Sequence, residues 1–92
     1  MSTVELAPEC ALFTVFGSAD PALLPRIVAL FAKCGLVPAR FLAETLGEEM
    51  HVEVELPALS SDRADHFAEV LRQMPVVSRV SLRRSIPRGE FR

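Results

Sequence analysis

With 92 residues, half of them hydrophobic, the chain is long enough for one domain around one modest core and too short for two. Its formal net charge of -2 supplies no field that draws it to nucleic acid or to an anionic membrane surface. Trp and Tyr are absent and six Phe carry all the aromatic bulk, so platforms for stacking bases are scarce.

The opening MSTVELAPEC has neither the positive start nor the apolar run of a leader, and no segment reaches the ~20 apolar residues of a membrane span. A soluble, cytoplasmic protein is the expectation, with one domain over residues 9–84 and loosely ordered tails at 1–8 and 85–92. The run ECALFTVFG then reads as a strand ended by Gly17-Ser18. Leu12 and Phe16 fall on one face and Phe13 and Val15 on the other, so both faces are apolar and the strand belongs in the middle of a sheet. Asp20 is placed to cap a helix that starts at Pro21, where a missing N–H costs nothing. Leu24, Ile27, Val28 and Phe31 recur at helical spacing, Pro25 is tolerable within the first turn, and Gly35 supplies the left-handed stop.

VPARFLAETL reads as an edge strand, since Pro38 lacks a donor and Arg40 and Glu44 interrupt its apolar pattern. Gly47-Glu48 makes a turn, after which Met50, Val52, Val54 and Leu56 alternate with His51, Glu53 and Glu55, one face buried and the other facing water. Pro57 ends that strand. SSDRADHFAEVLRQM opens with Ser and Asp, sets Phe67, Val70, Leu71 and Met74 on one stripe, and meets Pro75, which stops the helix at Met74. VVSRVSLRR closes the chain as a last strand. The order β-α-β-β-α-β predicts a ferredoxin-like α+β sandwich, with an antiparallel sheet ordered 4-1-3-2 and both helices on one face.

Catalytic chemistry is sparse. His51 and His66 lie on polar faces with no nucleophile placed beside them, so no catalytic residue is expected. His51 and Glu53 share a strand face at i and i+2, but two ligands without a third make no metal site. Cys10 and Cys34 form no C-x-x-C pair and read as small buried hydrophobes. There is no Gly-rich phosphate loop, and neither central strand carries an aromatic RNA-binding motif. No cofactor and no metal is therefore expected. Arg79, Arg83, Arg84, Arg88 and Arg92 gather near the C-terminus and read as a solvated basic tail, while Glu44, Glu48, Glu49, Glu53 and Glu55 cluster mid-chain. The edge strand exposes Phe41, Ala43 and Thr45. Pairing with a two-fold mate gives a homodimer with a continuous eight-stranded sheet, Arg40 or Glu44 facing the other subunit.

The stretch SADPALLPRIVALFAKCGL and the strand after it resemble the opening half of an ACT domain, the amino-acid-sensing module of metabolic enzymes. Pro21, Leu23, Leu24, Ile27, Leu30, Phe31 and Gly35 fall in register with that family's pattern. VLRQMPVVSRVSL is similar to the helix-to-strand passage of acetolactate synthase small subunits, and the resemblance extends over about 9–83. It implies a regulatory module without catalysis, with an amino acid as ligand and a large catalytic subunit as partner. In amino-acid-binding members a loop Asn, a Gly after the Pro, and an Asn opening the second strand meet the ligand. Ala19, Ala22 and Val37 stand at those positions here. Each missing amide forfeits hydrogen bonds of ~0.5–1.5 kcal/mol, and the Ala22 Cβ intrudes where a ligand backbone comes close. What remains is Ser18, Asp20 and the N–H groups of Leu23 and Leu24, a set that favours a ligand's amino group over its carboxylate. The expectation is a small subunit with a degraded ligand loop, the alternative a free-standing amino-acid-sensing homodimer. A small enzyme or metal carrier on the same sandwich lacks the loop Arg or C-x-x-C those proteins need.

Overall fold

The apolar run from Cys10 forms strand β1 (Cys10–Ser18) in a computed structural model that describes residues 10–85. It is followed by α1 (Leu23–Lys33), β2 (Arg40–Leu46), β3 (Glu49–Pro57), α2 (Ser61–Arg72) and β4 (Val77–Ser85). Residues 1–8 and 86–92 of the expected tails lie outside the described residues, while Ser85, expected in the second tail, ends β4.

The sheet is antiparallel with order β2-β3-β1-β4, the ferredoxin-like arrangement expected from the element order. Register explains why β1 is central. Phe13 lies between Val54 and Leu82, and Val15 between Val52 and Val80, so one face of three strands is a continuous apolar floor. The helices cover that floor. Leu23, Ile27 and Phe31 of α1, and Ala64, Phe67, Ala68 and Leu71 of α2, are buried there. Rings carry the contact between layers: Phe67 meets Phe13 edge-on at 5.4 Å and stacks on Phe31 at 5.2 Å, and Phe31 meets Phe41 of β2 at 6.1 Å.

Helix α1 departs from the sequence reading in where it starts and which stripe it buries. Pro21 lies ahead of the helix, whose N-cap is Ala22, and Pro25 occupies its third position. With that shift Leu23 replaces Val28 on the buried stripe, and Val28 is 51% exposed. The other end is as expected. Gly35 takes φ +70°, the Gly35 N–H donates to the Ala32 carbonyl at 3.1 Å and the Leu36 N–H to Phe31 at 2.9 Å, a Schellman closure. Ser60 caps α2 by accepting the Arg63 N–H at 3.3 Å. That helix ends at Arg72, short of Met74, because the residue before Pro75 is barred from helical geometry. Strand β2 begins at Arg40 and not at Val37, since Pro38 offers no donor, although the Ala39 N–H already reaches the Glu55 carbonyl at 2.7 Å.

At the end of β1 the register slips by one residue, so Phe16 pairs with Arg79 and Gly17 with Val77, leaving Ser78 as a bulge. The Ser78 hydroxyl donates to the Phe16 carbonyl at 3.1 Å, and the Ser18 N–H donates to Val76 at 2.9 Å. Val76 holds φ +66°, a conformation that costs a β-branched residue ~1–3 kcal/mol and that the surrounding bonds enforce.

A Cβ at Gly17 would collide with the Val76 carbonyl oxygen, whereas at Gly35 it meets nothing within 4 Å. Gly17→Ala is therefore expected to lower unfolding free energy by about 2–3 kcal/mol and Gly35→Ala by only about 1–2 kcal/mol, from backbone strain alone. Urea denaturation of the two variants checks the order.

Candidate functional site

The loop between β1 and α1 is built by Asp20. Its Oδ1 accepts the Ala22 N–H at 2.8 Å and its carbonyl accepts the Leu23 N–H at 3.0 Å, a local turn that sets the direction of the helix. Asp20 thus acts from two residues ahead of the N-cap, because Pro21 has no N–H and cannot open the helix at that point. Ser18 and Ala19 give their N–H groups to Val76 and, at 3.0 Å, to Glu48, and the Asp20 N–H turns back to Ser18 at 2.7 Å. Pro25 brings no donor. At the helix mouth only the Leu24 N–H has no acceptor among the described residues.

The expected ligand residues are dispersed. Leu23 is buried in the core and Leu24 is half-buried against it, so both side chains are structural. Ala19 and Ala22 are exposed, and Val37 lies 81% exposed in the connection to β2. Ser18 alone of that set lines a shallow depression of about 280 Å³, together with Gly17, Glu48, Glu49 and Ser78. Sequence reasoning missed the two glutamates and Ser78. The signal was present but long-range: Ser18 pairs with Glu49, which brings the Gly47-Glu48 turn against the end of β1. Two carboxylates and two hydroxyls suit an ammonium group and repel a carboxylate.

The second feature is β2. It lies at the sheet edge and all seven of its residues are exposed. Phe41, Ala43 and Thr45 stand opposite Val54, Val52 and Met50 on the helix side, and Arg40, Leu42, Glu44 and Leu46 on the other side. Arg40 is engaged within the chain, with Nη1 3.5 Å from Glu53 Oε1. Phe41 remains 36% exposed despite its contact with Phe31.

On the sheet face without helices, the Arg79 guanidinium carbon lies 4.1 Å from the centroid of the Phe16 ring, which also packs edge-on with the His51 ring at 4.7 Å. His51 Nε2 lies 3.3 Å from Glu49 Oε1, not from Glu53, which Arg40 holds. His51 and Glu53 therefore do not converge, and no group of three His, Cys, Asp or Glu among the described residues can hold a metal. His51 and Glu53 are half-buried and Glu55 is buried, where full exposure was expected. They belong to an inner strand with long side chains in register on both sides, Leu12 and Arg40 flanking Glu55. Cys10 is buried as expected, but Cys34 is exposed, because the C-cap of α1 has already left the apolar stripe. Arg79, Arg83 and Arg84 belong to β4 and not to a tail, with Arg84 donating to the Leu59 carbonyl at 2.7 Å, whereas Arg88 and Arg92 lie outside the described residues. No described helix is long and apolar enough to cross a membrane.

The profile of a family described as ACT-like domain matches residues 5–88. The fold is similar to the crystal structure of the ACT domain from GTP pyrophosphokinase of Chlorobium tepidum, with a TM-score of 0.72 and 12% identity over 80% of this chain and 96% of that one. It is also similar to the solution structure of the C-terminal domain of the MgtC protein from Mycobacterium tuberculosis, with a TM-score of 0.70 and 10% identity over 91% and 95% of the two chains. At these identities the likeness is one of fold. No curated protein matches the sequence significantly.

Asp20→Ala removes the acceptor of the Ala22 N–H. It is expected to cost about 1 kcal/mol of stability, as loss of a capping side chain does, read from the urea midpoint.

Proposed function

This chain belongs to the ACT-like domain family, and on that premise we propose that it is a regulatory interaction module without catalysis of its own, a small subunit of an amino-acid biosynthetic enzyme of the acetolactate synthase type. ACT domains are generally regulatory modules, and they often bind amino acids and dimerise. The observation that carries the reading is β2, a whole edge strand left exposed with Phe41 and Leu42 on its two sides. An edge of this kind is stabilised by pairing, and its mate is the same strand of a second copy, giving one eight-stranded sheet. Arg40, Phe41, Ala43 and Thr45 form the seam. Residues 9–84 act as the single domain, and the passage over residues 70–82 supports a large catalytic subunit as partner. An exposed thiol at Cys34 suits the reducing conditions of the cytoplasm.

The helix mouth supports regulation by assembly more than by ligand. Its donors are largely spent on Asp20, and Ala19, Ala22 and Val37 bring no polar side chain. A second reading, a free-standing amino-acid-sensing homodimer, is favoured by one observation, the acidic depression beside Ser18. In that reading Asp20 and Glu48 take the ligand's amino group, while Ser18 and the Leu24 N–H contribute around it, the Leu23 N–H being held by the Asp20 carbonyl.

Ala43→Arg is expected to convert the dimer into a monomer in sedimentation at micromolar concentration, since it sets like charges across the two-fold. Calorimetric titration with the twenty amino acids separates the two readings: silence at millimolar concentration accompanies the small subunit, and sub-millimolar binding the sensor. Added to a thiamine-diphosphate-dependent large subunit, the chain is expected to change its rate, and an unaltered rate counts against the partner.

A further inference from the structure

The helix-free face of the sheet has a charge pattern that edge pairing through β2 leaves unused. Strand register places Arg79, Phe16, His51 and Glu44 in one row across it. The half formed by β4 and β1 carries Arg79 and Arg83, two positive charges. The half formed by β3 and β2 carries Glu44, Glu49, Glu53 and Glu55 against Arg40, four carboxylates to one guanidinium. The face is therefore split lengthwise into a basic and an acidic half. Apolar ground lies between the charges: Leu12 and Phe16 are half-buried, and Leu42 and Leu46 are 42% and 56% exposed.

We propose that this face is a self-complementary interface for a second copy of the chain, across a two-fold axis that lies between the two sheets and runs along the strands. Rotation about such an axis exchanges left and right edges but keeps each position along the strand. Every row then meets its own copy reversed. Arg79 stands over Glu44 of the partner subunit, Glu44 over the partner's Arg79, and Phe16 and His51 over each other's copies. The basic half meets the acidic half, with one row excepted. An axis running across the strands would set acid on acid and base on base, so the charges select one of the two face-to-face arrangements. Sheets packed face to face lie about 10 Å apart with strands nearly aligned, which this axis satisfies. One row is unfavourable, since Arg83 comes over the partner's Arg40. Arg40 is offset there by its own Glu53 at 3.5 Å and by Glu55 beside it in register. A face of four short strands offers roughly 500 Å² per copy from strand spacing and rise. That is below the usual area of a stable pair, so the association is weak, charge-steered and salt-sensitive.

Arg79→Glu reads this interface apart from the β2 seam, because Arg79 lies on the strand at the opposite edge of the sheet, whereas Glu44 lies on β2 itself. The test uses the full chain in sedimentation velocity at low and high salt, with Arg79→Glu, Glu44→Arg and the double reversal, circular dichroism confirming that each is folded. Each single reversal is expected to weaken one association step about tenfold, and the double reversal to bring it back, as restored complementarity does. High salt is expected to weaken the same step in the unmodified chain. With the β2 seam also operating, Arg79→Glu takes four copies to two; without it, two copies to one. Either halving supports the face, and the starting size reports on the seam. An unchanged size distribution for Arg79→Glu, or a double reversal that associates no better than the singles, overturns the proposal.

Discussion

Four phenylalanine rings in sequence bind the layers of this molecule. Phe13 of β1 meets Phe67 of α2, Phe67 stacks on Phe31 of α1, and Phe31 reaches Phe41 at the sheet edge. In a chain with six Phe and no Trp or Tyr, two thirds of the aromatic bulk is thus spent on one continuous contact. Each buried ring of this kind contributes several kcal/mol, more than any other single interaction in so small a core. Once it forms, both helices are committed to the same side of the sheet. The opposite side and the edge at β2 are left to water or to another molecule, and those two surfaces are where function has to be sought.

The loop that leads into α1 is governed by the same economy of partners. Ser18 is fixed by Val76, Ala19 by Glu48, and the first turn of the helix by Asp20. A helix mouth is a good anion site only while its N–H groups are unclaimed, and here most are claimed by the chain itself. The carboxylates of Glu48 and Glu49 beside Ser18 reinforce the bias against an acid ligand. An exposed edge strand and an internally satisfied loop favour the proposed action by assembly over the proposed action by ligand sensing.

The parts of this fold that could be read in the sequence were those fixed by local periodicity or by a unique backbone need. Both apolar faces of β1, the alternation in β3, Gly47 in its hairpin with φ +64° and Gly35 at the helix stop all fall in this class. Errors arose where two local signals competed. Asp20-Pro21 has the look of a helix start, but a second proline at 25 and the Asp20 turn move the helix to Leu23, which exchanges Val28 for Leu23 in the core and leaves Cys34 in solvent. The arginines near the C-terminus give two readings at once, part of a last strand and part of a solvated basic tail, and register with β1 keeps Arg79, Arg83 and Arg84 in the strand. The glutamates beside Ser18 and the divided charge of the open face depend on register between strands far apart in sequence, which no single window contains.

The central claim is that β2 is an edge only in the isolated chain and acquires a partner strand in solution. Amide hydrogen exchange across residues 40–46, followed as protein concentration is raised, addresses it directly, because half of the strand's amides point away from β3 and are protected only by a mate. The account predicts that those outward amides slow markedly with concentration while the amides of β1 stay constant. Outward amides that exchange at one fast rate over the whole concentration range would contradict it.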